Sequence, residues 1–253
     1  MKKRIIITGG PTNEPIDEVM KITNMSTGRF PVSLGKCFAE MGHDICMVLN
    51  RSVDRSPLAE YIEKGNVRII EIETTDEMLN ALESLKSERC DAIIHAAAVG
   101  DYGAEFSFLL ENLAKELYKD ISAGKINSSN DVLALLEDGE RYMIDSSSKI
   151  SSYQKNLTVK LCLTPKIIAR LREWYPETMI IGCKLLEDVS KDELFAVAEK
   201  LCIKNDVDFI MANDLADLRN GKAERYLVST AGFTGKVLKN PKDVCDFVIE
   251  RII

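Results

Sequence analysis

Short runs of β-branched residues alternate with segments of helical period over the first hundred residues, and this alternation constrains the fold more than any other feature. It indicates parallel strands that are joined by crossover helices. Strands are predicted at residues 4–8, 44–49, 67–72 and 92–95. Helices are predicted at residues 32–41, closed by Gly42, and at residues 76–85, capped by Thr74 or Thr75.

The pattern changes after Asp101, where leucine-rich helical segments are predicted at residues 106–120 and 131–136. We interpret residues 103–145 as an insertion or lid. The expected fold is one Rossmann-like α/β domain spanning residues 1–253, a doubly wound and mostly parallel sheet with helices on both faces. The remaining predicted elements are strands at 158–163, 179–182, 209–211 and 226–229, helices at 191–204 and 241–252, and a helix that opens at Thr164-Pro165 with Thr164 as its cap.

Charge and hydropathy exclude several classes of partner. The 33 basic and 40 acidic residues give a net charge of −7, and an acidic chain binds nucleic acid or anionic membranes poorly. No apolar stretch approaches the roughly 20 residues that a membrane-spanning helix needs, and the amino-terminal segment is too short for a signal peptide. Residues 103–145 hold nine acids and four bases, so most of the acidity lies there and anionic substrates are expected on the rest of the chain.

Cysteine and histidine usage narrows the chemistry further. Seven cysteines without a Cys-x-x-Cys pair indicate reduced thiols in a cytoplasmic protein. His43 and His95 are the only histidines, which excludes a His-rich metal site. We interpret His95, inside a predicted strand, as a core residue. The sequence identifies no metal ligands.

Two polar segments follow the first predicted strand. Residues 8–17, TGGPTNEPID, stand where an α/β sheet binds phosphates, although the spacing is not Gly-x-Gly-x-x-Gly. The alternative is a rigid turn without a ligand. Residues 22–29, ITNMSTGR, offer the neutral amide of Asn24 and an anion nest at Ser26, Gly28 and Arg29. The alternative for this segment is an N-terminal helix cap.

Small residues and scattered cations complete the candidate set. Ala97 and Ala98, after the fourth predicted strand, leave room for a flat ligand, and Asp101 offers an acceptor; close packing is the alternative. Asn213 ends a later strand at the edge where ligands bind. The separated cations are Lys149, Lys166, Lys184, and the pair Lys200 and Lys204 at helical spacing, for which a solvated face is the default and a polyphosphate site the alternative.

In this order, the motifs resemble those of phosphopantothenate-cysteine ligase, particularly the stand-alone bacterial form that acts in coenzyme A biosynthesis. The resemblance covers almost the whole chain. It rests on GGPT at 9–12, EPID at 14–17, ITNMSTG at 22–28, AAAVGDY at 96–102, KISS at 149–152, TPKII at 164–168, GCKLL at 182–186 and AND at 212–214.

The resemblance implies a magnesium-dependent reaction in two steps. The carboxylate of 4′-phosphopantothenate attacks the α-phosphate of CTP, which is preferred over ATP, and the cysteine amine then displaces CMP from the acyl-cytidylate. Asn24 and Lys149 are implied as catalytic residues, and Lys21, Arg29 and Asn213 are assigned to substrate binding. Nucleotide binding is assigned to Gly10, Ser26, Gly28, Ala97, Ala98, Asp101, Thr164, Pro165, Lys166, Ile167, Cys183, Lys200 and Lys204. A homodimer is also implied.

Two other functions remain open. The family commonly has Arg, Gly and Phe where this chain has Met20, Pro31 and Cys183, so a diverged relative that binds nucleotide with little turnover is one alternative. A short-chain NAD(P)-dependent oxidoreductase is the other. It needs a Tyr-x-x-x-Lys pair, which none of the seven tyrosines provides, and an acid after the second strand, where Asn50-Arg51 stands instead.

Overall fold

The structure is a computed structural model that describes residues 1–252. The alternating segments of the sequence form a central sheet in it. Twelve strands of this range are numbered along the chain: β1 (Arg4–Gly9), β2 (Asn13–Pro15), β3 (Lys21–Thr23), β4 (Asp44–Asn50), β5 (Val67–Ile72), β6 (Ala92–His95), β7 (Tyr102–Leu109), β8 (Leu157–Leu163), β9 (Met179–Leu186), β10 (Phe209–Asp214), β11 (Arg225–Ser229) and β12 (Gly232–Leu238). The helices of the same range are α1 (Arg29–Glu40), α2 (Ala59–Glu63), α3 (Thr75–Ser84), α4 (Leu110–Ser122), α5 (Ser129–Glu137), α6 (Ile168–Trp174), α7 (Lys191–Asn205), α8 (Leu215–Arg219) and α9 (Pro241–Arg251).

Eight of these strands form one mostly parallel sheet in the order β12-β11-β10-β9-β6-β1-β4-β5. The six strands from β10 to β5 in this order run parallel, whereas β10 to β11 and β11 to β12 are antiparallel pairs. Strand β1 leads to β4 and β5 on one side, and the chain then returns to β6 on the other side. The predicted doubly wound α/β fold is therefore confirmed.

Alternate residues of the strands face two separate hydrophobic cores. Ile5 and Ile7 pack with α1 and α9 in the first core, whereas Ile6 packs with α3, α6 and α7 in the second. Successive side chains of a strand point to opposite faces, so a run such as Ile5-Ile6-Ile7 requires helices on both faces. This arrangement is the one that the apolar strands predicted.

The chain divides into two units. The sheet unit comprises Met1–Thr12, Asn24–Val99 and Pro165–Ile253. The small unit comprises Asn13–Thr23 and Gly100–Thr164, and it contains the antiparallel pairs β2-β3 and β7-β8 together with α4 and α5. The expected insertion at 103–145 lies inside the small unit, whose bounds are wider. Its action as a lid stays a prediction.

Two local predictions are wrong. The helix predicted at 106–120 begins only at Leu110, because the preceding residues form β7 and pair with β8. The helix predicted to open at Thr164 begins at Ile168 without a side-chain cap. The Thr164 hydroxyl donates instead to the carbonyl oxygen of Gly100, so this side chain is engaged inside the small unit.

Candidate functional site

The carboxyl ends of β1 and β6 mark the point where the sheet reverses its winding. These strands are neighbours, yet the chain travels through β4 and β5 before it reaches β6. At such a switch point the loops that follow the two strands diverge, and the resulting crevice is where α/β sheets bind ligands. The loops in question begin at Gly10 and Ala96.

Backbone hydrogen bonds tie these two loops together. The Ala98 amide donates to the Gly10 carbonyl oxygen over 2.8 Å, and the Thr12 amide donates to the Ala98 carbonyl oxygen over 3.3 Å. The Ala97 amide donates to Thr8 Oγ1 over 3.2 Å. Three residues that the sequence assigned to nucleotide binding, Gly10, Ala97 and Ala98, are thus brought together.

Asn24 joins the same cluster through its side chain. Its Nδ2 donates to the carbonyl oxygen of Ala98 over 3.0 Å, while the residue as a whole remains exposed. Asn24 and Ala98 are 74 residues apart in the chain, so only the fold brings them into contact. The hydrogen bond holds the proposed catalytic amide at the edge where the sheet is expected to bind its ligand.

Gly10 and Gly28 each pack closely against Val53. Both have left-handed backbones, with φ of 83° and 70°. A Cβ at Gly10 would lie 2.5 Å from Val53 Cγ2, and one at Gly28 would lie 2.6 Å from the same atom. Only glycine combines this conformation with this approach. Val53 therefore restricts the backbone path both of the loop that begins at Gly10 and of the segment that ends at Gly28.

Gly28→Ala should lower the free energy of unfolding by about 2–4 kcal/mol, because left-handed strain and overpacking against Val53 add. Gly42→Ala is the matched control. Gly42 has φ of 84° but nothing within 4 Å of its added Cβ, so a loss of only about 1–2 kcal/mol is expected. Urea unfolding measures both losses, and equal values for the two variants would contradict the proposed packing role.

The capping alternative for residues 22–29 is wrong. The N-cap of α1 is Gly28, and no side chain caps the helix. The Ser26 amide instead donates to the Asn24 carbonyl oxygen over 2.9 Å in a tight turn. Arg29 is the exposed first residue of the helix. The anion nest at this helix start stays a prediction.

Cys183 and Asn213 lie on the adjacent parallel strands β9 and β10, towards their carboxyl ends. Cys183 is half-buried beside the first core, and burial raises the pKa of its thiol to about 12. Its thiol therefore remains protonated and is a poor nucleophile at neutral pH. Asn213 is half-buried and precedes Asp214, whose carboxylate accepts from the amide of Ala216 and caps α8.

His95 is a buried core residue, in agreement with its interpretation from the sequence. It is 7% exposed, and its Nδ1 lies 2.9 Å from Thr8 Oγ1. Burial lowers the pKa of His95 to about 4, so the ring is neutral in the folded protein. The Thr8 hydroxyl also accepts a hydrogen bond from the Ala97 amide. His95 therefore contacts the side chain that holds Ala97 at the ligand-binding edge of the sheet.

The free energy of unfolding should depend on pH through His95. Between about pH 4 and about pH 6.5 the unfolded chain binds a proton that the folded chain does not, so stability falls as the pH falls through this window. We expect His95 to account for roughly 2 kcal/mol of loss between about pH 7 and about pH 4.5. Urea unfolding of the natural chain and of His95→Asn measures it, and identical pH dependence would contradict it. With only two imidazoles present, NMR of a His43→Gln variant reports the His95 pKa directly.

The residues assigned around the start of α6 differ in accessibility. Ile167 is 2% exposed and packs in the second core, so only its backbone can meet a ligand. Pro165 and Lys166 are exposed and precede the helix without belonging to it. Their roles in nucleotide binding stay predictions.

The structure does not bring Lys200 and Lys204 to the switch point. Helix α7 begins after the carboxyl end of β9 and ends four residues before β10 begins, so its last turns lie towards the amino ends of the strands. Both lysines belong to this half of the helix and are exposed. Their roles in nucleotide binding stay predictions.

A pocket of about 250 Å³ lies within the small unit. It contains Lys149, the second implied catalytic residue, and Met20, which stands where the family commonly has Arg. Both are exposed, and Lys149 follows a serine-rich loop. The lining residues are Asp17, Val19, Met20, Lys149, Ile150, Ser151, Ser152, Gln154 and Leu157.

Asp17 organises this pocket and is absent from the assigned set. Its Oδ1 accepts from the amides of Val19 and Met20 over 2.7 and 2.6 Å, and its Oδ2 accepts from the amide of Ile150 over 2.8 Å. These bonds, with a smaller contribution from Lys149, lower the pKa of the carboxyl group. Asp17 thus holds the backbone next to Lys149, and its position in the EPID motif was the signal that could have identified it.

Three further assigned residues belong to the small unit. The Thr164 amide donates to the Asp101 carbonyl oxygen over 3.2 Å, which joins the ends of this unit's longer segment. Asp101 is itself exposed. Lys21 is exposed in β3, opposite Pro15 of β2. Their roles in binding stay predictions.

Within residues 1–252, no three or more Asp, Glu, His or Cys side chains form a group suited to a metal ion. Mg²⁺ in nucleotide sites is commonly held by substrate phosphates and one or two carboxylates. The expected dependence on Mg²⁺ stays a prediction. No helix in the same range has the length and apolar character needed to cross a membrane.

Comparisons with known proteins identify the family. The chain is 29% identical to the coenzyme A biosynthesis bifunctional protein CoaBC of Thermococcus kodakarensis over 227 residues, which is 89% of this chain and 45% of that protein. It is 26% identical to the CoaBC protein of Methanocaldococcus jannaschii, covering 98% of this chain and 50% of that one. The chain spans about half the length of the curated relatives it matches.

A solved structure of similar length supports the same conclusion. The DNA/pantothenate metabolism flavoprotein from Streptococcus pneumoniae is 28% identical, with a TM-score of 0.74 over 99% of this chain and 98% of that one. Residues 1–144, more than half of the chain, match the family described as DNA/pantothenate metabolism flavoprotein C-terminal domain. The chain belongs to this family, and the resemblance drawn from its ordered motifs is confirmed.

Proposed function

We propose that the chain joins 4′-phosphopantothenate to L-cysteine in coenzyme A biosynthesis, with CTP as the activating nucleotide. The observation that carries the proposal is the placement of the Asn24 amide against Ala98 at the switch point of the sheet. The name of the CoaBC relatives supports it, because it assigns them to coenzyme A biosynthesis. The protein would act as a homodimer in the cytoplasm.

The proposed reaction forms one amide bond in two displacements. The carboxylate oxygen of 4′-phosphopantothenate attacks the α-phosphorus of CTP, and pyrophosphate leaves. The amine of cysteine then attacks the acyl carbon, loses a proton, and releases CMP. Activation is necessary because a free carboxylate is a poor acyl donor, and the protein lowers the barrier mainly by positioning and by neutralising charge.

Asn24 and Lys149 would have different roles in this reaction. The Asn24 amide would donate to the oxygen that becomes negative as the acyl-cytidylate reacts, without competing as a nucleophile. The exposed ammonium of Lys149 would neutralise phosphate charge during the first step. Mg²⁺, when bound with the nucleotide, would neutralise further phosphate charge.

The direct test incubates the pure protein with 4′-phosphopantothenate, cysteine, Mg²⁺ and either CTP or ATP. We expect the amide product by mass spectrometry, stoichiometric pyrophosphate, and faster turnover with CTP. Chelation with EDTA should stop pyrophosphate release, and excess Mg²⁺ should restore it. Nucleotide binding without product would favour a diverged binding protein, and it would refute the ligase proposal if an authentic ligase works under the same conditions.

A further inference from the structure

Arg225 reaches the ligand edge of the sheet because its strand runs against the others. Strand β11 is antiparallel to β10, and Tyr226 pairs with Ala212. The amino end of β11 therefore lies at the carboxyl ends of the parallel strands, and Arg225 comes next to Asn213. No motif in the sequence marks this residue.

The side chain lies on the face of the sheet that also carries Cys183 and Asn213. Leu227, Met211 and Cys183 all pack in or against the first core. Because side chains alternate along a strand, Arg225 and Asn213 share that face. Phe30, in the first turn of α1, confirms this placement, since the Arg225 guanidinium stacks 3.5 Å from its ring centroid.

The Arg225 guanidinium has no carboxylate partner within residues 1–252. Its Nη1 donates to the Ala223 carbonyl oxygen over 2.9 Å, and the stack on Phe30 covers one side. Burial lowers the pKa of Arg225, which shows that the group is partly withdrawn from water. By contrast, Arg141 forms ion pairs with Glu116 and Asp120. A half-buried cation without an acidic partner is costly unless an anion completes it.

The start of α1, where Arg225 stacks on Phe30, is positively charged as well. Helix α1 has no acidic residue in its first turn, and Arg29 is its first residue. The helix dipole adds partial positive charge at this end. Cys183, the one titratable neighbour that perturbs Arg225, remains protonated because its pKa is raised to about 12. These charges favour an anionic ligand.

We propose that Arg225 is a further substrate-binding residue, whose guanidinium holds a phosphate group of one of the two phosphorylated substrates. The inference rests on the proposed function, which supplies CTP and 4′-phosphopantothenate as the sources of that phosphate. A planar guanidinium can donate two parallel hydrogen bonds to phosphate oxygens, whereas an ammonium cannot. Stacking on Phe30 would hold the Arg225 guanidinium in position before the ligand binds.

The test measures KM for all three substrates in Arg225→Gln and Arg225→Lys. We expect Arg225→Gln to raise KM for either CTP or 4′-phosphopantothenate by about 10- to 100-fold, the usual effect of losing a charged hydrogen-bonding partner. KM for cysteine, which carries no phosphate, should stay within about twofold. Arg225→Lys should raise the same KM less than Arg225→Gln does, because lysine keeps the positive charge but lacks the planar guanidinium with its two parallel donors.

Arg251→Gln is the matched control. Arg251 also stacks on an aromatic ring, 4.3 Å from the centroid of Phe247, but it ends α9 and is exposed. This variant should leave all three KM values unchanged. If thermal unfolding shows that Arg225→Gln does not fold, Arg225→Lys carries the test, with a smaller increase in the same KM.

Calorimetric titration separates failure of this inference from failure of the proposed function. CTP with Mg²⁺, and 4′-phosphopantothenate alone, are titrated into the natural chain and the variants. A natural chain that binds either compound but makes no product would refute the ligase reaction alone, and weaker binding of that compound by Arg225→Gln would still support the phosphate contact. Affinities and KM values within twofold of the natural chain in folded variants would overturn the inference.

Discussion

Asn24→Asp should lower the rate of amide formation by about 10²- to 10³-fold while nucleotide binding changes little. The natural amide donates to the Ala98 carbonyl oxygen over 3.0 Å. In the proposed mechanism an N–H of this amide donates to the developing oxyanion. An ionised carboxylate has no hydrogen to donate, and it would be repelled both by that carbonyl oxygen and by the acyl-cytidylate phosphate. Single-turnover experiments that follow CMP release measure the loss.

The acyl-cytidylate itself distinguishes this effect from general damage. If Asn24 acts in the second step, mass spectrometry should show the intermediate accumulating in Asn24→Asp when cysteine is present. Asn80→Asp is the matched control, since it makes the same charge change at an exposed position of α3. A variant at position 24 that turns over as fast as the Asn80 control would remove Asn24 from the mechanism.

Lys149→Gln should act one step earlier and lower formation of the acyl-cytidylate by about 10²-fold. The cation lies in the pocket that Asp17 organises, and glutamine keeps much of the side-chain length without the charge. The pocket should survive, because the Asp17 carboxylate is held mainly by the amides of Met20, Ile150 and Val19, and Lys149 contributes least to its lowered pKa. Rapid-quench measurement of pyrophosphate release reports the step.

A neighbouring lysine serves as the control for this charge. Lys155→Gln removes an exposed cation from the same unit, outside the residues that line the pocket. It should leave the first step unchanged. Normal accumulation of the acyl-cytidylate in Lys149→Gln would contradict the assigned role, whereas loss of both steps together would indicate a role in binding the substrates.

Short strands rich in β-branched residues were the elements that local pattern predicted best. The predicted bounds of β5 and β6, residues 67–72 and 92–95, agree with the structure. Strand β6 is buried throughout, as its apolar residues predict, whereas β5 is an edge strand with Arg68 and Glu71 exposed. Strand β7 was mistaken for helix because its apolar residues continue directly into α4, and pairing with β8, nearly fifty residues later, decides where the helix begins. Local pattern carries no information about such pairing.

Local pattern identified some of the candidate residues, whereas others depend on contacts that only the tertiary structure shows. Gly10 and Ala98 were recognised because short loops after parallel strands carry ligands in this fold class. Asp17 was overlooked because its partners at Val19, Met20 and Ile150 are backbone amides, one of them 133 residues away. Lys200 and Lys204 were assigned together with the switch-point residues because a linear motif does not show which end of a helix meets which edge of the sheet.

By itself the sequence determined the class of fold, the order of the motifs and the chemical character of the candidate groups, since these depend on local periodicity and on residue type. Tertiary structure alone decided which groups meet. The Asn24 bond to Ala98, the three bonds of Asp17, and the stack of Arg225 on Phe30 from an antiparallel strand all depend on strand order and direction. These are set by burial of the whole sheet between two helical layers, which no short segment encodes.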